Sequence, residues 1–200
     1  MIKVNVFDSG VCSLGEGALW HPTRNQFFWF DINNGALFAH EDGARVRWDF
    51  DAHVSAAGWV NYDNLMIAHE TSLLLFNLNT HKSEKIVDLE ADDPVTRSND
   101  GRADPWGGFW IGTMGKKLEN DAGAIYRYYR GELRTLYAPW TIPNAQCFSP
   151  NCDYAYFTNT PNGEILKQRL DSKDGWPVAF PRFSKRPSES NISLFPDGIS

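Results

Sequence analysis

Long hydrophobic runs are missing from this 200-residue sequence. No apolar stretch approaches the roughly 20 residues that a membrane-spanning helix requires, and residues 1–10 lack the basic-then-apolar order of a secretory signal. Clusters of Lys and Arg are missing as well, and the formal net charge is −6. We therefore expect a cytoplasmic protein that has neither a membrane partner nor a nucleic-acid partner.

Cysteine is also scarce. Cys12, Cys147 and Cys152 are odd in number and lack the paired spacing of a metal-binding motif. Three reduced thiols are therefore expected, as is usual in the cytoplasm. Helical periodicity is weak along the whole chain, which argues against a helical bundle.

What the sequence does contain is a repeated pair of β-prone runs. Aromatic residues make up 14% of the chain, a proportion that suits β-sheet packing. Phe28, Met66, Trp110 and Tyr156 occupy corresponding places in the repeat, at steps of 38, 44 and 46 residues. Each repeat has a short leading run followed by a predicted hairpin, and the four predicted hairpins are 26–41, 64–80, 107–129 and 153–171.

A near-constant repeat that holds three or four short strands predicts a β-propeller. A β-sandwich also has many short strands, but it has no reason to repeat its pattern at this interval. Four units reach about Lys185, and LFPDGIS (194–200) resembles the start of a fifth. We therefore expect an all-β, single propeller domain over 1–200 that is a truncated ring. The run at 2–7 is expected to be a strand of the missing last blade.

A conspicuous polar residue stands at the start of the leading run in most units. Glu16, Asn99 and Asn144 occupy this place, and Asp197 does so in the fifth unit. The second unit has only Ser55. In a propeller the first strand of each blade lines the central channel, so side chains in the same phase of the repeat converge on one mouth. Clustered carboxylate and amide oxygens predict one divalent cation, Ca²⁺, Mg²⁺, Mn²⁺ or Zn²⁺.

The stretch from Arg97 to Met114 combines turn-forming and charged residues. Asn99-Asp100-Gly101 is a favourable turn sequence and predicts the turn that opens a channel strand. Arg97 is surplus to such a turn, which suggests a role in a site. Arg102 is expected to point away from this site, in an ion pair with Asp104 or with a neighbouring blade.

Together these stretches resemble the SMP-30/gluconolactonase/regucalcin-like family of six-bladed propellers, whose motifs follow in the same order and spacing. The motifs are LGEGALWHPTRNQFFWFDI (14–32), RSNDGRADPWGGFWIGTM (97–114), IPNAQCFSPNCDYAYFTNT (142–160) and FPDGIS (195–200). The resemblance covers essentially the whole chain and extends over four blades and the start of a fifth.

The resemblance implies a role for each matching residue. Glu16, Asn144 and Asp197 would be the metal ligands, and Asp197 would also be the general base. Arg97 and Asn99 would bind the substrate. Some members carry an acidic residue just after the GTM sequence that contacts the sugar, where this chain has Gly115, Lys116 and Lys117. Glu119 is the substitute candidate for that contact.

The activity implied by the resemblance is hydrolysis of a sugar lactone to the aldonic acid, with a gluconolactone, xylonolactone or arabinolactone as the small-molecule substrate. The metal would polarise the lactone carbonyl, and Asp197 would take a proton from the attacking water. Alternatives are a metal-dependent esterase or phosphotriesterase of the same propeller class, a non-catalytic calcium-binding propeller, and a protein-interaction propeller. Convergent carboxylates count against the last of these.

Overall fold

The computed structural model describes residues 3–185 and residue 197. Across these residues the chain forms sixteen strands in four antiparallel four-stranded sheets, which we call blades 1 to 4. The helical segments of this part of the chain are two three-residue 3-10 turns, and none is long and apolar enough to cross a membrane.

In each blade the four strands are neighbours in sequence order. Blade 1 contains β1 (Gly15–His21), β2 (Gln26–Asp31), β3 (Ala36–Glu41) and β4 (Ala44–Asp49). Blade 2 contains β5 (Val54–Asn61), β6 (Asn64–His69), β7 (Ser72–Asn77) and β8 (Ser83–Asp88). Blade 3 contains β9 (Thr96–Ala103), β10 (Phe109–Gly115), β11 (Gly123–Tyr129) and β12 (Glu132–Trp140). Blade 4 contains β13 (Pro143–Phe148), β14 (Tyr154–Asn159), β15 (Glu164–Arg169) and β16 (Arg182–Lys185).

The four predicted hairpins are confirmed as the two middle strands of each blade. Their residues are β-branched or aromatic, and Asn, Gly and Asp stand at the turns between them, as expected for short antiparallel strands. The first strands β1, β5, β9 and β13 contact one another in succession. They are the innermost strands, and the all-β, propeller-like arrangement predicted from the repeat is confirmed for these four blades.

Apolar side chains fill the spaces between consecutive blades. Phe28 and Phe30 of blade 1 pack with Leu65 and Ile67 of blade 2, and all four are fully buried. Corresponding clusters centre on Phe109 between blades 2 and 3 and on Trp110 and Phe157 between blades 3 and 4. Burial of each large apolar side chain contributes about 1.5–3 kcal/mol, so blade-to-blade packing is a main source of stability.

Each innermost strand carries a β-bulge at the same place. In β1 the three steps from Glu16 to Leu19 face only two steps on β2, from Phe30 to Phe28. The bulge pairs are Gly17-Ala18, Ser55-Ala56, Asn99-Asp100 and Ala145-Gln146, in blades 1 to 4. A bulge redirects the side chains around it and is frequent next to active sites.

This register corrects two expectations. Asn99-Asp100-Gly101 was expected to form a turn, but these residues lie within β9, with Asn99 and Asp100 in its bulge. The polar residues were also expected to occupy equivalent positions in every blade, but their positions differ by one residue. Glu16 and Asn144 precede their bulges, whereas Ser55 and Asn99 lie inside theirs.

The two ends of the chain bear on the predicted first and fifth units. Residues 3–7 do not form a strand in the structure, so the expected strand at 2–7 is not observed there. Of the predicted fifth unit, Asp197 is described and is exposed, and the rest of FPDGIS lies outside the described residues.

Candidate functional site

A chain of hydrogen bonds joins blades 3 and 4 at the end of the innermost strands that we call the mouth. Arg97 Nη1 donates to Asn99 Oδ1 at 3.0 Å and to the carbonyl oxygen of Ser98 at 2.7 Å. Asn99 Nδ2 in turn donates to Asn144 Oδ1 at 2.8 Å and to the carbonyl oxygen of Pro143 at 3.0 Å. Three of the predicted site residues, Arg97, Asn99 and Asn144, are thus linked directly.

These side chains are held in a largely closed environment. Arg97, Asn99 and Asn144 are each less than one tenth exposed. Asn144 Nδ2 donates to Thr160 Oγ1 at 2.9 Å, which leaves its Oδ1 on the side of Asn99. The amide groups are oriented by several partners each, and such fixed orientation is what a binding site requires.

Two further predicted site residues, Glu16 and Asp197, interact with this region through their charges. Burial raises the pKa of the Glu16 carboxyl, and the negative charges of Asp197 and then Asp100 raise it further, while Arg97 opposes the shift. Burial lowers the pKa of Arg97, and the charges of Glu16 and Glu70 oppose that shift. The carboxylates of Asp197 and Asp100 therefore lie close enough to Glu16 to disfavour its negative charge.

The segment that leads into Glu16 is fixed by Asp31, which lies at the end of β2. The Asp31 carboxylate accepts hydrogen bonds from the backbone N–H of Ser13 at 2.9 Å and of Leu14 at 3.0 Å. It also accepts one from Asn34 Nδ2 at 2.7 Å. Asp31 is 2% exposed, so it serves as a buried anchor for the start of β1. Its role was missed in the sequence because its partners are up to 18 residues away.

Blade 2 contributes a second charged cluster near Arg97. Glu70, in the turn between β6 and β7, accepts hydrogen bonds from Lys116 Nζ at 2.5 Å and from His53 Nδ1. Lys116 also donates to the carbonyl oxygen of Pro94 at 3.1 Å. The Lys116 loop of blade 3 is thereby tied to blade 2, and sequence reasoning did not identify this tie.

Glu119 lies in the same loop as Lys116. Its Oε2 accepts a hydrogen bond from the backbone N–H of Lys117 at 2.9 Å, and a Cβ at Gly115 would lie 2.2 Å from it. These contacts hold the Glu119 carboxylate against the backbone of its own loop. The structure shows no hydrogen bond within the described residues that joins Glu119 to Arg97, Asn99 or Asn144.

A cavity of about 470 Å³ runs along the innermost strands from the mouth. Glu16, Asp100 and Gln146 line it near the mouth, and Trp20, Trp59 and Arg102 line it further along. Gln146 is 3% exposed, and within the described residues neither polar atom of its side-chain amide has a hydrogen-bond partner. Such an amide is where ordered water is expected. Gln146 carried no signal in the sequence, because its position depends on the bulge.

Asp104, which directly follows β9 at the end away from the mouth, is paired with Arg127. Of the two partners expected for Arg102, Asp104 or a neighbouring blade, the first is therefore wrong. Its Oδ2 accepts a hydrogen bond from Arg127 Nε at 2.6 Å, and both side chains are fully buried. Its Oδ1 accepts the backbone N–H groups of Trp106 and Gly108. Arg127 lies on β11, directly across the blade, and no sequence pattern indicated that pairing. Arg102 lines the cavity and has contacts of its own.

The described residues contain no group of three or more His, Cys, Asp and Glu side chains that could hold a metal ion. The predicted ligand set has a different composition, since Asn144 supplies an amide oxygen beside the carboxylates of Glu16 and Asp197.

Comparison with known proteins gives concordant matches. The sequence matches the SMP-30/Gluconolactonase/LRE-like region over residues 14–200. A protein of Rhizobium meliloti (strain 1021), named provisionally as a sugar lactone lactonase, is 35% identical over 170 residues, which are 84% of this chain and 58% of that protein. Pentonolactonase XacC of Haloferax volcanii is 30% identical over an aligned length of 207 residues, which covers 100% of this chain and 67% of that protein.

A solved structure is similar in both fold and sequence. The crystal structure of regucalcin from Agrobacterium tumefaciens, described as a calcium-binding protein, matches with a TM-score of 0.91 at 32% identity. The match covers 96% of this chain and 65% of that one. The chain thus spans between 58% and 67% of the length of these three proteins.

Proposed function

The chain belongs to the SMP-30/gluconolactonase/LRE-like family, and we propose from that premise that the protein hydrolyses a sugar lactone to the open-chain aldonic acid. The names of the Rhizobium and Haloferax relatives support this class of substrate. Gluconolactone, xylonolactone and arabinolactone are the substrates to be tested.

The observation that carries the proposal is the hydrogen-bond chain from Arg97 through Asn99 to Asn144, with the charge of Glu16 beside it. A propeller that only presented loops to a protein partner would have no need for such a buried polar chain at its channel mouth. Burying polar groups at this position costs free energy unless they are fully hydrogen-bonded, so a protein without a site here would gain nothing from them.

One divalent cation, Ca²⁺, Zn²⁺, Mn²⁺ or Mg²⁺, fits the oxygens of Glu16, Asn144 and Asp197. The fit rests on two features. Burial, and then the negative charges of Asp197 and Asp100, raise the pKa of the Glu16 carboxyl, and Asn99 orients Asn144 Oδ1. Oxygen donors of this kind suit hard cations. A cation bound there would supply electrostatic stabilisation to negative charge that develops on the lactone carbonyl oxygen.

Arg97 and Asn99 are proposed to orient the sugar. Within the described residues the side-chain hydrogen bonds of Arg97 use Nη1 alone, which leaves Nη2 and Nε to donate to substrate oxygens. Asn99 Oδ1 accepts one hydrogen bond and has a second lone pair for a substrate hydroxyl. Glu119, tied to its own loop, is a weaker candidate that would have to release Lys117 first.

Asp197 is proposed as the general base. It takes a proton from water as the water oxygen bonds to the carbonyl carbon, and it returns that proton to the ring oxygen as the ester C–O bond breaks. The atoms balance, because one water is consumed and the acid and the hydroxyl are both on the product. The exposure of Asp197 gives water access to its carboxylate.

The remaining architecture is also proposed. Six blades would close the ring, and four blades are two thirds of such a ring, in keeping with the shares of length given above. In this arrangement 2–7 would add a strand to the last blade, and the domain would act in the cytoplasm.

Proton release from δ-gluconolactone, xylonolactone and arabinolactone, followed with a pH indicator, tests the proposal. With Ca²⁺, Mn²⁺, Zn²⁺ or Mg²⁺ supplied, release should exceed the spontaneous rate for at least one lactone. Asp197→Asn should lower kcat by about 100-fold or more while retaining metal binding. Asp42→Asn is the matched control, because Asp42 lies in the β3–β4 turn, outside the cavity. No release above the spontaneous rate for any lactone and metal would refute the proposal.

Calcium binding without turnover is the second candidate, because the similar Agrobacterium structure is described as a calcium-binding protein. The same samples distinguish the two. Calcium-induced thermal stabilisation without lactone turnover would favour the binding role.

A further inference from the structure

Asp100 is the second residue of the blade 3 bulge and faces the bulge of blade 4. Its Oδ2 accepts a hydrogen bond from the backbone N–H of Gln146 at 3.3 Å. The nearby backbone N–H groups of Ala145 and Gly101 also favour its charged form and lower its pKa. Two of these N–H groups belong to the residues that directly follow Asn144.

The blade 4 bulge needs such support, because Ala145 has a φ of +64°. This is the left-handed region, which a residue with a Cβ adopts only when its surroundings hold it there. The corresponding residue in blade 1 is Gly17, also at φ +64°, which adopts this conformation without a Cβ penalty.

A carboxylate is not needed to make the bulge itself. The residues that correspond to Asp100 are Ala18 in blade 1 and Ala56 in blade 2, and both strands have the same two-against-one register. In blade 3 the carboxylate is unfavourably placed: burial raises the pKa of Asp100 to about 6. A costly charged group at one repeat position only indicates a specific task there.

Asn99 and Asp100 form hydrogen bonds to blade 4 on both sides of Asn144. Asn99 Nδ2 holds the carbonyl oxygen of Pro143 and Oδ1 of Asn144. The Asp100 carboxylate accepts a hydrogen bond from the N–H of Gln146, and the N–H of Ala145 also favours its negative charge. The backbone of Asn144 is therefore fixed from before and after its Cα by two adjacent side chains of another blade.

We propose that Asp100 is a positioning residue, whose carboxylate acts as an acceptor for the backbone N–H groups of Ala145 and Gln146 and so fixes Asn144 in its metal-binding orientation. This rests on the proposed function, since Asn144 is a ligand only in that proposal. The competing role for Asp100 is a direct one, as an acid or base that exchanges protons with the substrate.

The test compares Asp100→Asn with Asp100→Ala. The Asn side chain keeps a carbonyl oxygen that accepts the same N–H groups, but it cannot exchange a proton. Two quantities are measured on each: the Kd for Mn²⁺ of the metal-free protein, by calorimetric titration, and the kcat and KM for the lactone that the wild type hydrolyses. Asp42→Asn and Asp42→Ala are the matched controls, and circular dichroism checks folding.

We expect Asp100→Ala to raise the Kd for Mn²⁺ by about tenfold or more, as loss of a residue that orients a metal ligand does. Asp100→Asn should keep the Kd and kcat within about fivefold of wild type, so the conservative variant rescues both. If Asp100→Ala does not fold, Asp100→Ser takes its place.

Two results would overturn the proposal. A kcat for Asp100→Asn as low as that for Asp100→Ala, with Mn²⁺ affinity retained, would assign Asp100 to proton transfer. A Mn²⁺ affinity unchanged in both variants would remove the positioning role. Failure of the proposed function appears separately, as a wild type that binds Mn²⁺ and hydrolyses no lactone. In that case the Mn²⁺ affinities alone decide the role of Asp100.

Discussion

The innermost strands of blades 2 and 3 have the same backbone register, but their side chains make different contacts. Both strands have a bulge in the same register, at Ser55-Ala56 in blade 2 and at Asn99-Asp100 in blade 3. In blade 2 the bulge is small and fully buried, and Ser55 Oγ donates to Ser98 Oγ of blade 3 at 2.8 Å. In blade 3 the corresponding side chains reach across to blade 4.

The difference separates what the backbone supplies from what the side chains supply. A bulge at the mouth is common to all four innermost strands, so it is part of the scaffold. The bulges of blades 3 and 4 carry the longer polar side chains Asn99, Asp100 and Gln146, and blade 3 adds Arg97 beside them. The candidate site is therefore a local elaboration of a repeated backbone.

The largest effect is expected at the opposite end of blade 3, where Arg127 is buried against Asp104. The guanidinium carbon of Arg127 lies 4.4 Å from the ring centre of Tyr129 and 4.5 Å from that of Trp176. Arg127→Met should lower the free energy of unfolding by about 3–5 kcal/mol, because it leaves the Asp104 charge buried without its partner. Urea denaturation measures the loss.

The double variant Arg127→Met/Asp104→Leu is the control for that prediction. It removes both charges and should be less destabilised than Arg127→Met alone. A single variant that loses less than about 1 kcal/mol would contradict the assignment of a tightly coupled pair. A fall in kcat/KM without loss of stability would show that this end of blade 3 serves the site after all.

The next effect sharpens the comparison of the bulges directly. Asn99→Ala leaves Asn144 Oδ1 and the Pro143 carbonyl oxygen without their donor, so kcat/KM for the hydrolysed lactone should fall by about 100-fold. Ser55→Ala, at the same register position in blade 2, should change kcat/KM less than about threefold and lower the stability by about 1 kcal/mol. Steady-state rates and thermal unfolding measure the two. Equal losses of activity in both variants would show that the bulges are not functionally distinct.

The smallest effect is expected from the charged cluster at the mouth in which Glu70 of blade 2 contacts His53 and Lys116. Burial alone raises the pKa of Glu70, but the hydrogen bonds from Lys116 and His53 outweigh it and hold the pKa below its usual value. The resulting stability is present above the unfolded-state pKa and is lost as the pH falls through the folded-state pKa. Glu70→Gln should therefore cost about 1–2 kcal/mol at pH 7.

The difference between wild type and Glu70→Gln should shrink as the pH falls below the unfolded-state pKa of about 4.5, because the unfolded carboxylate is then protonated, and it should vanish once the folded carboxylate is protonated at a lower pH. Urea denaturation in steps from pH 7 down to about pH 3 gives the profile, because the stabilisation is lost between the unfolded-state and folded-state pKa values. A difference that stays constant over this range would mean that the cluster stabilises the mouth by packing rather than by charge.

Much of the fold could be predicted from local sequence alone. The hairpins follow from alternating apolar and turn residues within a few positions, and Gln26–Asp31 with Ala36–Glu41 shows this directly. The repeat interval then indicated a propeller, because stacking of such units is what buries residues such as Phe28 and Ile67. These features depend on short-range patterns, which a single sequence displays.

The details of the candidate site depend on longer-range contacts and were predicted less well. Asn99-Asp100-Gly101 has turn chemistry, yet it extends through a bulge because β10 pairs with residues on both sides of it. Gly101 suits this pairing, since a Cβ there would lie 2.7 Å from the Trp110 carbonyl oxygen. The partners of Asp100 and of Asp104 lie 46 and 23 residues away. Local sequence carries no information on such pairs.

The hydrogen bonds from Asn99 to Asn144 and Pro143 have a consequence for the modularity of this repeat protein. The sheets pack on one another through apolar faces. The candidate site is not divisible in the same way, because a residue of one blade orients a residue of its neighbour. Replacing blade 3 with a second copy of blade 2 would remove Arg97, Asn99 and Asp100 together. The arrangement of Asn144 in the candidate site therefore depends on blades 3 and 4 together, although they are two separate sheets.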